Sequence, residues 1–113
     1  MARYTSEAEA AADGFSIVHE PEQHRFAVYR RSGDIERLVG EAHYSLTEAT
    51  AGIAGSIDFD HTVVRPEYRG TGVSGLLAHR AVTDDVVRDR RVLASCWFIE
   101  GYLARHPELL TDR

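Results

Sequence analysis

The sequence predicts an α/β fold of the α+β kind, built as a mixed, mostly antiparallel sheet of about five strands with one βαβ crossover and a C-terminal helix. Three observations carry this. Four consecutive runs alternate apolar and polar residues with a period near two. The one long stretch without proline, and without glycine past position 75, is 73–89, and it falls between the fourth run and a short fifth. A length of 113 residues leaves room for a single hydrophobic core. Hairpin turns suffice for antiparallel neighbours, whereas a parallel pair needs a helix-length connection, so the only crossover joins the fourth and fifth strands.

Residues 1–14 (MARYTSEAEAAADG) are rich in Ala and Glu and show no clear apolar stripe. They read as an N-terminal arm, flexible or briefly helical, ahead of a domain spanning 15–113. Phe15–Glu20 reads as a strand ended by Pro21. Residues 24–30 read as a second, with Phe26 and Val28 alternating against Ala27 and Tyr29, and Ser32, Gly33 and Asp34 then reverse the chain. The third, 36–46, is the clearest half-buried strand: Leu38, Ala42, Tyr44 and Leu46 share one face, Arg37, Glu41, His43 and Ser45 the other.

The fourth run, 53–64, places Ile53, Ile57, Phe59, His61 and Val63 together if it stays regular, and its length invites a bulge. Pro66 and the glycines at 70, 72 and 75 end it. A helix over 73–89 follows, with Val73, Leu77 and Ala81 on one side. Residues 91–96 read as the fifth strand and Trp97–Arg105 as a second helix ending before His106 and Pro107, with Trp97 and Phe98 expected to pack it.

Composition narrows the function. The formal charge is −5 and the pI about 5.6, so no global field draws the chain to nucleic acid or anionic lipid. All 13 basic residues are Arg, which excludes a lysine Schiff base and a phosphate-loop lysine. The single cysteine, Cys96, leaves no internal disulfide and no thiolate-rich zinc site. No signal-peptide pattern and no run near the ~20 apolar residues of a membrane span is present, so the expectation is a cytoplasmic protein without a membrane partner.

Arg69-Gly70-Thr71-Gly72-Val73-Ser74-Gly75 joins a strand to the longest helix, where unpaired N–H groups and the helix dipole favour an anion. Arg69 adds a guanidinium, and the hydroxyls of Thr71 and Ser74 add donors. Three phosphate-loop types compete. A Walker loop needs Gly-Lys-Ser/Thr and there is no lysine. Gly70-x-Gly72-x-x-Gly75 fits the dinucleotide fingerprint, but the acidic residue due about 20 positions on is replaced by Arg90 and Arg91.

The third type is the pyrophosphate arm of the GNAT N-acetyltransferases, Arg/Gln-x-x-Gly-x-Gly/Ala, which Arg69 to Ser74 resembles with Ser74 in the last position. The wider run His61-Thr62-Val63-Val64-Arg65-Pro66-Glu67-Tyr68-Arg69-Gly70-Thr71-Gly72, with Cys96 and the later His106-Pro107-Glu108, is similar to the minimal branch of that superfamily. The likeness runs over about 15–110 and departs from the branch at Ala94, Ser95 and Trp97. It implies acetyl-CoA in a cleft between the fourth and fifth strands. There Thr62, Val63 and Val64 would pair with the pantetheine like an added strand, and Arg69, Gly70, Thr71, Gly72, Val73, Ser74 and Gly75 would hold the pyrophosphate. An N–H near Val63 or Val64 would face the thioester oxygen.

His61 resembles the branch's proposed active-site histidine and suits a base near neutral pH; a buried core histidine beside Phe59 and Val63 is the other reading. Cys96 is either a transient acyl carrier acting with His61 or a lining residue. Tyr102, six residues after Cys96, is either the acid that protonates the thiolate or a packing residue, since family members place the tyrosine about seven on. Asp58, Asp60 and His61 do not form a metal site if the strand is regular. Arg88, Arg90 and Arg91 read as a solvated patch within reach of the coenzyme's 3′-phosphate. The leading expectation is transfer of acetyl from acetyl-CoA to an amine, a peptide end, lysine side chain or small amine, by direct attack with His61 as base. The alternative is a non-catalytic module that binds CoA or a partner. The sequence leaves the acceptor and the oligomeric state open.

Overall fold

The computed structural model describes residues 3–111. Its five strands lie in sequence order across one sheet: β1 (Phe15–Glu20), β2 (Arg25–Ser32), β3 (Ile35–Thr47), β4 (Ser56–Val64) and β5 (Arg91–Leu93). The first four pair antiparallel, and β4 and β5 pair parallel through α2 (Val73–Thr83). The mixed α/β class and the single crossover are therefore as the sequence predicts. The remaining helices are α1 (Glu7–Ala12), α3 (Trp97–Arg105) and the short α4 (Glu108–Thr111). No described helix is long and apolar enough to cross a membrane.

α1, α2 and α3 share one face of the sheet, tied together by Arg80 to Glu7 (2.9 Å) and by His79 to Tyr102 (3.0 Å). Phe26, Val28, Ala42, Ile57 and Phe59 point into this layer and are fully buried against Leu77, Ala81 and Ile99. Each such large side chain contributes about 1.5–3 kcal/mol. The opposite face carries no helix among the described residues.

Two bulges alter the predicted faces. Val28 faces Gly40 and Tyr29 faces Leu38, so Val39 is the extra residue; it turns inward and is buried, leaving Leu38 half-buried. In β4, His61 faces His43 and Phe59 faces Tyr44, making Asp60 the extra residue. The alternation inverts there: Ile57 and Phe59 point to the core, whereas His61 and Val63 are exposed and Val64 is buried. Ile53 does not join them, because β4 begins at Ser56 and Ile53 closes a turn with Thr50. An extra residue shifts every later side chain to the other face, which no single-strand pattern reveals.

The helix read over 73–89 stops at Thr83. Thr83 hydrogen-bonds back to the His79 carbonyl, and the Asp84 carboxylate accepts from Val86 N–H, offering the backbone a turn instead of another helical bond. The fifth strand stops at Leu93. Asp58 accepts both the N–H (2.8 Å) and the hydroxyl (2.6 Å) of Ser95, pulling the chain out of the ladder just after the Asp58–Leu93 pair.

The N-terminal segment is more than an arm. Ser6 caps α1, Glu9 reaches back to the N–H of Thr5, and Tyr4 and Ala10 are buried in the common core. Residues 1–2 of that arm and 112–113 of the predicted domain lie outside the described residues.

Candidate active site

Beyond the Asp58–Leu93 pair, β4 and β5 part. The Cys96 N–H still reaches the Phe59 carbonyl (3.0 Å), and past it the outer edge of β4 borders a cleft of about 480 Å³. Thr62, Val63, Val64, Arg69, Ser74, Cys96, Trp97 and Phe98 line it. The Arg65 N–H donates to the Val39 carbonyl (2.9 Å), on the β3 side. Antiparallel alternation then turns the N–H and C=O of Thr62 and Val64 toward the cleft, and those of Val63 toward β3. The Val63 side chain lines the cleft, but its backbone is committed to the sheet, which narrows the predicted added-strand edge to Thr62 and Val64.

Gly40 makes this edge possible. A Cβ there would lie 2.9 Å from the Val63 carbonyl oxygen and 2.9 Å from a Val64 methyl, so only glycine lets β3 approach β4 this closely. A glycine inside a well-alternating strand is the sequence signal that marks such an approach.

The phosphate turn is arranged for an anion. Gly70 and Gly72 have φ of 81° and 97°, conformations that suit glycine, and Gly72 caps α2 without any side-chain hydrogen bond. The first intrahelical bond runs from Leu76 N–H to the Gly72 carbonyl, leaving the Ser74 and Gly75 N–H groups without helical partners and Val73 N–H with only a 3.4 Å contact to the Thr71 hydroxyl. Ser74 faces the cleft, Val73 is buried and contributes backbone alone, and Arg69 is exposed on the lining with no ion pair among the described residues.

Thr71 differs from the prediction. Its hydroxyl donates to the Tyr68 carbonyl (2.6 Å), its N–H to the same oxygen, and its carbonyl accepts from Tyr4 N–H (2.8 Å). All its polar groups make contacts within the turn or with Tyr4. Gly72 and Gly75 border a second groove on the other side of α2, with Tyr4, His79, Tyr102 and His106.

The three predicted catalytic side chains do not converge. His61 projects from the helix-free face, exposed and without a hydrogen bond among the described residues; its nearest ring is His43, at 6.0 Å between centroids. It is not a core histidine. Cys96 lines the cleft with Sγ 3.5 Å from the Thr62 hydroxyl, and that contact, not an imidazole, is its partner. Tyr102 lies in the second groove, its hydroxyl on His79 and its ring 4.4 Å from His106. Burial first, then the negative charge of Glu108, pushes its phenol above the ordinary value.

Trp97 and Phe98 were expected to pack α3. Phe98 does so in part, but both line the cleft and Trp97 is 81% exposed. Two aromatic residues directly after the cleft cysteine were the available signal. Arg91 starts β5 opposite Ser56, at the ends of these strands remote from the phosphate turn, so the 88–91 arginines do not flank it.

An open strand edge beside an uncapped helix start, at the carboxyl ends of two diverging parallel strands, is the geometry that the sequence resemblance implies. A model of the GCN5-related N-acetyl-transferase family matches residues 25–112. The chain belongs to the GCN5-related N-acetyltransferases. It therefore carries an acetyltransferase domain, and the family reading of the fold stands. The chain is also similar to Protein NATD1 of Gallus gallus, 35% identical over 51 residues, which is 45% of this chain and 46% of that protein. Homo sapiens Protein NATD1 is likewise 35% identical over 51 residues, 45% of each chain. Protein NATD1 of Xenopus tropicalis is 33% identical over 52 residues, 46% of this chain and 48% of the relative. The matches thus span about half the length of these curated relatives.

Proposed function

We propose that this chain transfers an acetyl group from acetyl-CoA to an amine. One observation carries the reading: Ser74 in the uncapped first turn of α2, Arg69 and the open edge of β4 all border one continuous cleft. Ser74 N–H, with Gly75 N–H beside it, and the Arg69 guanidinium hold the pyrophosphate. The Thr62 and Val64 backbone holds the amide-bearing arm as an added strand would be held, with Phe98 and Trp97 as its apolar wall. The coenzyme supplies the activated acetyl carbonyl.

The acceptor approaches from the helix-free face, where His61 stands. His61 takes a proton from the acceptor ammonium; the freed nitrogen lone pair forms the new C–N bond while the C–S bond breaks. Val64 N–H donates to the carbonyl oxygen as charge gathers there, a contribution on the order of a hundredfold or more in rate. The thiolate leaves and is reprotonated by solvent or the nearby Cys96 thiol. Direct attack fits better than an acyl-cysteine, because the cysteine is partnered by Thr62 and has no imidazole beside it. Tyr102 takes the packing role, joining α3 to α2.

Calorimetric titration with acetyl-CoA and a mass-spectrometric screen of amines and peptides test this. The expected result is saturable binding, turnover of at least one amine, and loss of turnover in His61→Ala with coenzyme affinity unchanged. No heat with acetyl-CoA overturns the reading. Binding without any acetylated product supports the non-catalytic module instead.

A further inference from the structure

The helix-free face of the sheet is expected to be a field of solvated charges. Around His61 it holds an ordered array instead. Arg25, His43 and His61 are direct cross-strand neighbours, one each from β2, β3 and β4, so their side chains form a row across the sheet. His43 Nε2 lies 2.6 Å from Glu41 Oε1, and Glu41 Oε2 accepts from Arg25 at 3.0 Å. Arg25 is held in turn by Glu20 (2.6 Å), and Glu20 by the Tyr29 hydroxyl (2.6 Å). Side-chain exposure is only 15% for Arg25, 24% for Glu41 and 32% for His43. One period of alternation along β3, with Arg25 and Glu20 on the strands to one side, thus builds a fixed chain of partners that ends at the half-buried His43 imidazole, beside the exposed His61.

That ending has a chemical meaning. A carboxylate accepts only, so the ring nitrogen facing Glu41 carries the hydrogen, and in the neutral ring the other, Nδ1, has a lone pair to offer. The His43 and His61 ring centroids are 6.0 Å apart, the rings are inclined by 41°, and no direct hydrogen bond joins them among the described residues, so a proton passing between them needs water as a carrier. A base that accepts a proton at each turnover must pass it on before the next. We infer that His43, locked by Glu41 and Arg25, is a positioning residue that receives through water the proton His61 takes from the acceptor. The proton passes from His61 to the water, a proton of that water passes to His43 Nδ1, and the resulting imidazolium is balanced by the Glu41 carboxylate. Glu20 from β1 and Tyr29 from β2 stand behind Arg25, and Asp60 of β4 accepts from Ser45. The inference rests on the transferase reading for its purpose, but the coupling it requires belongs to the protein alone.

Long-range proton–nitrogen spectra of histidine-labelled protein across pH 4–9 test it. The expected result is a single His43 tautomer with the hydrogen on Nε2, mixed tautomers in Glu41→Gln, and a His61 curve with two inflections that collapses to one in His43→Asn. A melting temperature of His43→Asn within a few degrees of the parent shows that the fold is intact; if it is lower, His43→Gln supplies the same comparison. Superimposable His61 curves in parent and variant, or free tautomer exchange in the parent, overturn the relay. Acetyl-CoA titrated into the same samples separates the two readings: coupling without coenzyme binding removes the transferase, and binding without coupling removes only the relay.

Discussion

The two halves of β4 obey different rules. From Ser56 to Asp58 the strand is paired on both sides, with β3 and with β5, and its apolar residues follow simple alternation. From Asp60 onward it keeps β3 but loses β5, its faces are inverted by a bulge, and the edge that β5 abandoned becomes the wall of the cleft. One carboxylate marks the boundary: Asp58 pairs through its backbone with Leu93 and through its side chain with Ser95. A cleft is thus obtained by stopping a strand pair early, with the backbone groups on the far side of the stop left without a strand partner.

The open half depends most on Gly40. Alanine there places its Cβ against the Val63 carbonyl, a backbone atom that cannot rotate aside. We expect Gly40→Ala to cost about 1–3 kcal/mol of stability, to displace Thr62 and Val64, and to abolish acetyl-CoA binding. Urea denaturation and calorimetry measure both. If the protein binds the coenzyme with parental affinity, the edge of β4 is not its docking strand.

Ser74→Asp separates helix from ligand. A carboxylate in the uncapped first turn of α2 favours the helix dipole, leaving stability unchanged or raised by about 0.3–1 kcal/mol. The same charge faces the cleft where the pyrophosphate would lie, and affinity is expected to fall at least tenfold, an effect that shrinks at high salt. Equal affinity in the variant places the phosphates elsewhere.

Local features of the sequence made much of this readable. β1 and α3 have the predicted bounds, and residues 62–64 and 69–75, being nearly contiguous, declared themselves as a strand end and a glycine turn. What stayed hidden depends on partners far along the chain. The bulge at Val39, and the position at Asp60 of the bulge that the length of the fourth run already invites, are set by cross-strand register, and the end of β5 by a contact between residues 37 apart. Thr71 reads as a phosphate donor until Tyr4 and Tyr68 are seen to occupy it, and Tyr4 itself, an aromatic residue in a polar arm, was a visible sign of burial. By alternation alone His61 belongs with Phe59 in the core; the bulge at Asp60 puts it on the exposed face instead.

The opposite edge of the sheet supplies the control with the smallest effect. Glu20 accepts from the Tyr29 hydroxyl and from Arg25, and these two, in that order, hold its carboxyl below the ordinary range against the opposing effect of burial. A carboxyl depressed in the folded state stabilises fully above its unfolded value, about 4.3, and loses that contribution as pH falls through the lower folded value. Tyr29→Phe removes the larger of the two favourable partners. The variant should be less stable by roughly 0.5–1.5 kcal/mol at pH 7, and the gap should narrow as pH falls from 5 toward 2.5, measured as urea midpoints. Acetyl-CoA affinity should not change, because Tyr29 lies two strands away from the open edge of β4. A gap independent of pH would show that the hydroxyl acts through packing. A change in coenzyme affinity would show that the paired and open regions of the sheet are not the separate units their geometry describes.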